Sequence, residues 1–180
     1  MKRKAAYSRI ALALSFCLWA GGLSAAPPPP KIGDPVPAFT LQTLDGKTVT
    51  SESLKGKTVL LDFWATWCPP CRQALPEIKS LTKKNAGHSL VVISVSVDDN
   101  KVTLADFVQK NGLDWPQAWD SQGKVTNGIF GISDFPTYLL IDSKGRLAYR
   151  QKGWAPMSSA ALLDQAVNRA LQCMPSDKLC

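Results

Sequence analysis

The run Phe63-Trp64-Ala65-Thr66-Trp67-Cys68-Pro69-Pro70-Cys71-Arg72 sets two cysteines three positions apart, where an apolar segment gives way to helical spacing. Two thiols one helical turn apart can cycle between dithiol and disulfide. One sulfur attacks a substrate disulfide as a thiolate, and the second resolves the mixed disulfide. A cysteine just ahead of a helix sits at the positive end of the helix dipole, where the thiolate is favoured over the thiol. The same spacing is also half of a zinc site, which needs two further ligands. For those the chain offers one histidine, His88, and the distant pair Cys173 and Cys180. Tryptophans on both sides of the turn, and Pro76 five residues after Cys71, suit a redox pair better than a zinc knuckle.

The elements that must position this pair follow from periodicity. Thr58-Val59-Leu60-Leu61-Asp62-Phe63-Trp64 is apolar, β-prone and short, which predicts a buried strand. From Pro69 the spacing of Ala74, Leu75, Ile78 and Leu81 predicts a helix over about Cys68 to Asn85, and prolines cost little in its first turn. Leu90 to Val97 reads as a second buried strand and Thr103 to Lys110 as a helix ending at Asn111-Gly112. Strands alternating with helices imply parallel pairing by crossover. Ahead of this core, Ala38–Gln42 and Lys47–Thr50 alternate around Leu44-Asp45-Gly46-Lys47 as a hairpin, followed by a helical turn at Ser51–Leu54. Behind it, Asp114–Trp119 is extended and Gly123–Phe130 helical. A hairpin then pairs Thr137–Asp142 with Leu147–Gln151. Ser158 to Cys173 forms a last amphipathic helix, with Leu162, Leu163, Ala166, Val167, Ala170 and Leu171 on its apolar face.

Lys2, Arg3, Lys4 and Arg9 precede an apolar stretch from Ile10 to about Leu23 and then the small residues Ser24, Ala25 and Ala26. This is the pattern of a secretory signal peptide, with an uncleaved anchor as the alternative. A lipid attachment at Cys17 fits poorly behind the bulky Phe16. The formal charge of +7 overstates the basicity. Four of the 21 basic residues lie in the leader and none of the 14 acidic ones do, so the remainder carries an excess of only three. No nucleic-acid or membrane-surface partner follows from it. The organisation expected is a signal over 1–25, a proline-rich linker over 26–31 whose Pro27–Pro30 tract is a stiff spacer, one domain over 32–172, and a tail over 173–180. In an oxidising compartment Cys173 and Cys180 are expected to form a structural disulfide pinning the last helix; a second redox centre and an intermolecular bridge are the alternatives.

The Trp-Cys-Pro-Pro-Cys centre resembles the thioredoxin superfamily, and more narrowly the TlpA/ResA-type thiol-disulfide oxidoreductases. So do Gly33-Asp34-Pro35-Val36-Pro37-Ala38-Phe39 with Asp45-Gly46-Lys47, Phe135-Pro136-Thr137, and Ile141-Asp142-Ser143-Lys144-Gly145-Arg146. The likeness spans about Ile32 to Trp154. It implies an α/β thioredoxin-like fold, a central mixed sheet flanked by helices, with an added N-terminal hairpin and a central insertion. Cys68 is then the nucleophile and Cys71 the resolver, with no histidine between them and two prolines that can donate no amide hydrogen to a sulfur. Such a thiolate is moderately stabilised, which suits a reductant more than a strong oxidase.

Asp62, an acid inside an apolar strand, is a third candidate whose pKa burial would raise. The resemblance places it beneath the dithiol to take the proton of Cys71; an aspartate facing solvent or paired with a lysine is the plain alternative. Related proteins carry an acid three residues after the second cysteine, and here that position is Ala74, so its part is missing or falls to Asp62 or Glu77. The resemblance also implies a cis peptide before Pro136 opposite the dithiol. Phe135 would offer its backbone to a bound peptide, with Trp67 and Pro69 as further substrate contacts, whereas Trp64 belongs in the core. His88 reads as a solvated loop residue, and Lys83 and Lys84 as a solvated helix face.

The partners implied are oxidised protein substrates and a membrane-embedded thiol-disulfide reductant, in the periplasm, with cytochrome c maturation as a client process. No cofactor or metal is expected beyond the Cys68–Cys71 pair itself. Peroxidase chemistry is disfavoured, because Leu61 and Ala65 stand where a peroxiredoxin resembles a proline and a hydroxyl residue. The alternative is a copper-delivery protein that holds Cu(I) between Cys68 and Cys71 as soft thiolates.

Overall fold

A computed structural model describes residues 27–87 and 90–172. His88, the leader with Cys17, and Cys173 and Cys180 lie outside the described residues. The strands are β1 (Thr40–Gln42), β2 (Thr48–Thr50), β3 (Thr58–Trp64), β4 (Leu90–Ser96), β5 (Gln117–Trp119), β6 (Thr137–Ile141) and β7 (Leu147–Lys152). The helices are α1 (Pro69–Lys84), α2 (Lys101–Asn111) and α3 (Pro156–Gln172).

Five strands form one mixed sheet in the order β5-β4-β3-β6-β7, with β3 at its centre. β3 runs parallel to β4 and antiparallel to β6, so both of its edges are hydrogen-bonded. All seven of its residues are buried, as the unbroken apolar run requires. Side chains alternate between faces. Leu60 and Trp64 join Ile78 of α1, Leu104 of α2 and Leu163 and Val167 of α3 in one core cluster. Val59, Leu61 and Phe63 join Phe39, Leu41, Val125 and Phe130 in the other. The three helices therefore contribute to the first face, while the N-terminal segments and the turns around 120–132 cover the second.

Helix ends follow their caps. Asn100 Oδ1 accepts from the amides of Val102 at 2.9 Å and Thr103 at 3.0 Å, which starts α2 at Lys101, two residues earlier than expected. Gly112 ends it in the left-handed conformation at φ 57°. In α3 the Ala155 amide donates to Ser159 Oγ at 2.9 Å and the helix opens at Pro156 rather than Ser158.

Three expectations are corrected. Gly123–Phe130 is a series of turns, not a helix. The Asp120 carboxylate there accepts from the amides of Val125 and Thr126 and from Thr126 Oγ1, Gly123 has a φ of 62°, and the amides that follow mix i→i−4 bonds (Asn127 to Gly123, Gly131 to Asn127) with i→i−5 bonds (Gly128 to Gly123, Phe130 to Val125), so no regular helical ladder forms. Leu162 is 51% exposed, because the buried stripe of α3 runs through Ser159, Leu163, Val167 and Ala170. Lys83 and Lys84 are exposed, as expected of a solvated helix face, and the Lys84 ammonium also pairs with Asp164 of α3 at 2.7 Å, joining α1 to α3. Finally, the proline tract is more than a spacer, since Pro30 is buried and Pro29 packs on Gly131.

Gly131 has a φ of 58°, and a Cβ there would meet Pro29 Cγ at 2.4 Å. Gly131→Ala should therefore lose the roughly 1–2 kcal/mol of left-handed strain together with a steric part, and combination with Pro29→Gly should recover only the steric part. Urea unfolding of the three variants reads the two parts separately; equal losses with and without Pro29 would show that the contact carries no energy.

Candidate active site

β3 ends at Trp64, and the chain turns through Ala65, Thr66 and Trp67 into α1, whose N-cap is Cys68. Pro69 and Pro70 take the first two helical positions, where an amide would have no intrahelical partner. Cys68 and Cys71 are joined as a disulfide with their Cα atoms 5.3 Å apart. The Cys71 amide donates to Cys68 Sγ at 3.3 Å, the one backbone donor that reaches this sulfur among the described residues. In this oxidised state Cys68 is 4% and Cys71 2% exposed, so the expected contrast between an open and a sheltered sulfur is small.

Trp67 stands 60% exposed beside the pair and meets Phe135 edge to face, with ring centroids 6.2 Å apart. The Phe135–Pro136 peptide bond is cis. The Pro136 carbonyl accepts from the Gly153 amide at 2.7 Å, which ties this loop to the end of β7. Trp64 is buried, as expected of a core residue.

Asp62 is buried at the centre of β3, on the face that carries Leu60 and Trp64 and packs with Cys68 and Cys71. It is shut off from solvent, and no lysine among the described residues pairs with it. Ser94 Oγ on β4 donates to Asp62 Oδ2 at 2.8 Å and accepts from Trp115 Nε1 at 2.8 Å. Burial pushes the Asp62 carboxyl up to about 7, and the Ser94 hydrogen bond offsets part of that rise. Opposite it on β6 lies Tyr138, buried with no hydrogen-bond partner for its hydroxyl among the described residues. Burial, and secondarily the Asp62 charge, push the Tyr138 phenol far up. Ala74 is buried in α1, and Glu77 is exposed, so Glu77 brings no acid to the buried site.

Ser94 and Trp115 escaped sequence reasoning, and so did a second buried acid. Asp98, buried just beyond β4, accepts from Thr66 at the amide (3.0 and 3.2 Å) and the hydroxyl (2.6 Å), and from Ser96 Oγ at 2.6 Å. Its carbonyl accepts from Trp119 Nε1 at 2.6 Å. The turn that delivers Cys68 is thus held by the neighbouring strand. An acid directly after the apolar run Leu90–Val97 was the available signal. Among the described residues, no group of three or more His, Cys, Asp or Glu side chains is placed to hold a metal ion.

A family profile described as Redoxin matches residues 31–164. The chain belongs to the redoxin family. It is 35% identical over 117 residues to the thiol-disulfide oxidoreductase ResA of Bacillus thuringiensis, which covers 65% of this chain and 67% of that protein. To a ResA of Bacillus cereus it is 31% identical over 152 residues, or 82% and 87% of the two chains. StoA from Bacillus subtilis superposes with a TM-score of 0.62 at 28% identity, over 73% of this chain and 96% of that one. The thiol:disulfide interchange protein DsbE of Chlorobium tepidum superposes with a TM-score of 0.73 at 30% identity, over 79% and 99%. This redoxin is a thiol-disulfide oxidoreductase of ResA type with a Cys68–Cys71 pair and a thioredoxin-like fold.

Two outcomes follow from its buried carboxylates. The Asp62 carboxyl holds its proton up to about 7 when folded against an ordinary value of 3.8, so the unfolded chain ionises first as pH rises. The folded-state advantage is complete below about pH 4 and is lost between there and pH 7, an effect of up to about 4 kcal/mol. Denaturant unfolding of the oxidised protein should show this fall, and Asp62→Asn, uncharged throughout, should lack it; identical pH profiles would contradict the burial. Asp98→Ala should cost about 1–3 kcal/mol by stranding the Thr66 amide and the Ser96 hydroxyl, and a melting temperature equal to the parent's would refute that anchoring.

Proposed function

We propose that this enzyme works outside the cytoplasm as a reductant of protein disulfides, with Cys68 as attacking thiolate, Cys71 as resolving thiol and Asp62 as the base that takes the Cys71 proton. The observation that carries the reading is the N-cap position of Cys68, with proline at both intervening positions and a single amide donor to its sulfur. The helix dipole lowers the thiol pKa, but few donors stabilise the thiolate, and a weakly stabilised thiolate makes a reducing dithiol.

In the reduced enzyme the Cys68 thiolate attacks one sulfur of the client disulfide. A Cys68–client bond forms, and the other client sulfur leaves as a thiolate and takes a proton from solvent. Asp62 then accepts the Cys71 proton, the Cys71 sulfur attacks Cys68 Sγ, the Cys68–client bond breaks, and the second client sulfur departs as a thiolate that is protonated as Asp62 gives up the proton it took from Cys71. Two electrons and two protons have passed to the client, and the Cys68–Cys71 disulfide seen here is the product state. Turnover requires a dithiol donor to restore it. We assign that part to a membrane-embedded thiol-disulfide reductant, and assign the client class to apocytochrome c or a similar oxidised exported protein. Trp67, Pro69, Phe135 and the cis Pro136 form the client-facing side, where the Phe135 amide and carbonyl have no partner among the described backbone groups. Export rests on the charged and apolar leader of the sequence. No helix among the described residues is long and apolar enough to cross a membrane.

Iodoacetamide titrated against pH should label Cys68 before Cys71 in the reduced protein, at an apparent pKa below about 8.5. Cys71→Ala should accumulate mixed disulfides with exported proteins while losing reduction of insulin. First labelling at Cys71, or retained turnover without it, would reverse the two assignments. Asp62→Asn should still form the mixed disulfide but resolve it more slowly near neutral pH, the defect fading as rising pH ionises Cys71 unaided. Stopped-flow tryptophan fluorescence follows that step, and parental resolution across pH 6 to 9 would remove Asp62 from the chemistry.

A further inference from the structure

Asp62 does not sit alone in the core. A directed pair of hydrogen bonds leads to it along the same face of the sheet, from Trp115 Nε1 to Ser94 Oγ at 2.8 Å and from Ser94 Oγ to Asp62 Oδ2 at 2.8 Å. All three side chains are buried, with Ser94 at 1% exposure.

We infer that Ser94 and Trp115 are positioning residues for Asp62, holding its carboxyl in the ionised, proton-accepting form near neutral pH. The inference rests on the reading of Asp62 as the base for Cys71. Its ground is the polarity of the pair. An indole N–H can only donate, so Trp115 must occupy a lone pair of Ser94. The serine hydroxyl has one proton, and with Trp115 fixed on its other side that proton is committed to Asp62. Ser94 therefore never competes as a free rotor, and Oδ2 is always offered a donor. A neutral Asp62 with its proton on Oδ2 would oppose the serine proton, and turning the hydroxyl away would strand it in the core, a costly loss for a buried donor. The proton from Cys71 is accordingly carried by Oδ1, which takes no hydrogen bond from any described side chain.

The surroundings leave little else to set this balance. Among the described residues, the titratable side chains in the core cluster on this face of the sheet are Cys68 and Cys71 at the head of α1, Tyr138 on β6 and, at its margin, Tyr149 on β7, whose hydroxyl donates to Gln151 Oε1 at 2.7 Å. β4 contributes only Ser94 and Ser96 as polar groups, and the buried stripe of α3 contains no titratable residue. Arg72 and Glu77 of α1 are exposed. Burial alone favours the neutral acid, and the Ser94 bond is the one identified influence that opposes it.

Ser94→Ala removes the donor and leaves a small void, so Asp62 should retain its proton to higher pH. A hydrogen bond to a charged group corresponds to a shift on the order of one to two pH units. In the reduced protein, a carboxyl-carbon NMR titration of Asp62 should show its midpoint raised by that amount in Ser94→Ala. Trp115→Phe should raise it by less, because the hydroxyl remains but is free to turn, and Ser94→Thr should restore the parental midpoint. Resolution of the mixed disulfide by Ser94→Ala should be roughly fivefold or more slower at pH 7 and near parental at pH 9.

An Asp62 midpoint unmoved in Ser94→Ala overturns the inference, and so does an equal rise in Ser94→Thr. Where Ser94→Ala fails to fold, Trp115→Phe decides: no rise in its midpoint overturns the inference, and a rise supports it. Parental resolution by Asp62→Asn is a separate outcome. It removes the base reading on which the inference stands, whereas the carboxyl titration needs no turnover and tests the Ser94 coupling directly.

Discussion

Because β3 is buried on both faces and hydrogen-bonded along both edges, its carboxyl end cannot shift without breaking the ladders to β4 and β6. That immobility decides where the following turn begins, and the turn decides where Cys68 meets the head of α1. The neighbouring strand tightens the arrangement. Asp98 leaves β4 parallel to β3, at the same end of the sheet, and takes the Thr66 amide and hydroxyl. A sulfur that must attack in line on a client disulfide needs a fixed approach, and here the rigidity comes from the sheet rather than from the turn's own few contacts.

Two carboxylates are buried within a few residues of the site, and their surroundings differ. Asp98 receives three side-chain or backbone donors from Thr66 and Ser96, an arrangement that ties elements together. Asp62 receives one, from Ser94. A single donor leaves burial dominant and lifts the carboxyl to about 7. That value lies where a group can both accept and return a proton at neutral pH. Tyr138, across the β3–β6 pair, adds no second bond, because its buried hydroxyl makes no hydrogen bond to any described residue.

The side open to a client is built from different material. Exposed Trp67 and half-buried Phe135 make an aromatic corner, and the β3–β6 ladder begins only at Thr137, two residues beyond Phe135. On the other face of the sheet, Pro29 and Pro30 lie against the domain, and Arg150 reaches the carbonyls of Phe130 and Gly131. The start of the described chain is thereby joined to the segment that runs on, within a few residues, to Phe135. A tract rigid enough to act as a spacer is also rigid enough to pack, since proline gives up little entropy on docking.

Local chemistry was legible in the sequence. The Cys68–Cys71 spacing, the prolines of the first helical turn, the apolar run of β3, and the glycines and aspartates of the hairpin turns each act over a few residues, so their consequences follow from neighbours along the chain. The odd acid in an apolar strand likewise marked Asp62 as a residue of interest. What surrounds Asp62 and Thr66 was not legible. Ser94 and Asp98 are ordinary in their own segments and matter only because parallel pairing sets Asp62 beside Ser94 and brings the end of β4 to the turn after β3. Trp115 reaches Ser94 from a loop 21 residues away. The turns at 120–132 were missed for a different reason: Asp120 takes the amides of Val125 and Thr126, and the amides after them alternate between i→i−4 and i→i−5 carbonyls, which residue spacing does not report. Propensity and spacing determined the elements and the reactive pair, whereas tertiary packing alone decided which polar groups face each other in the dry core and therefore where a buried proton can rest.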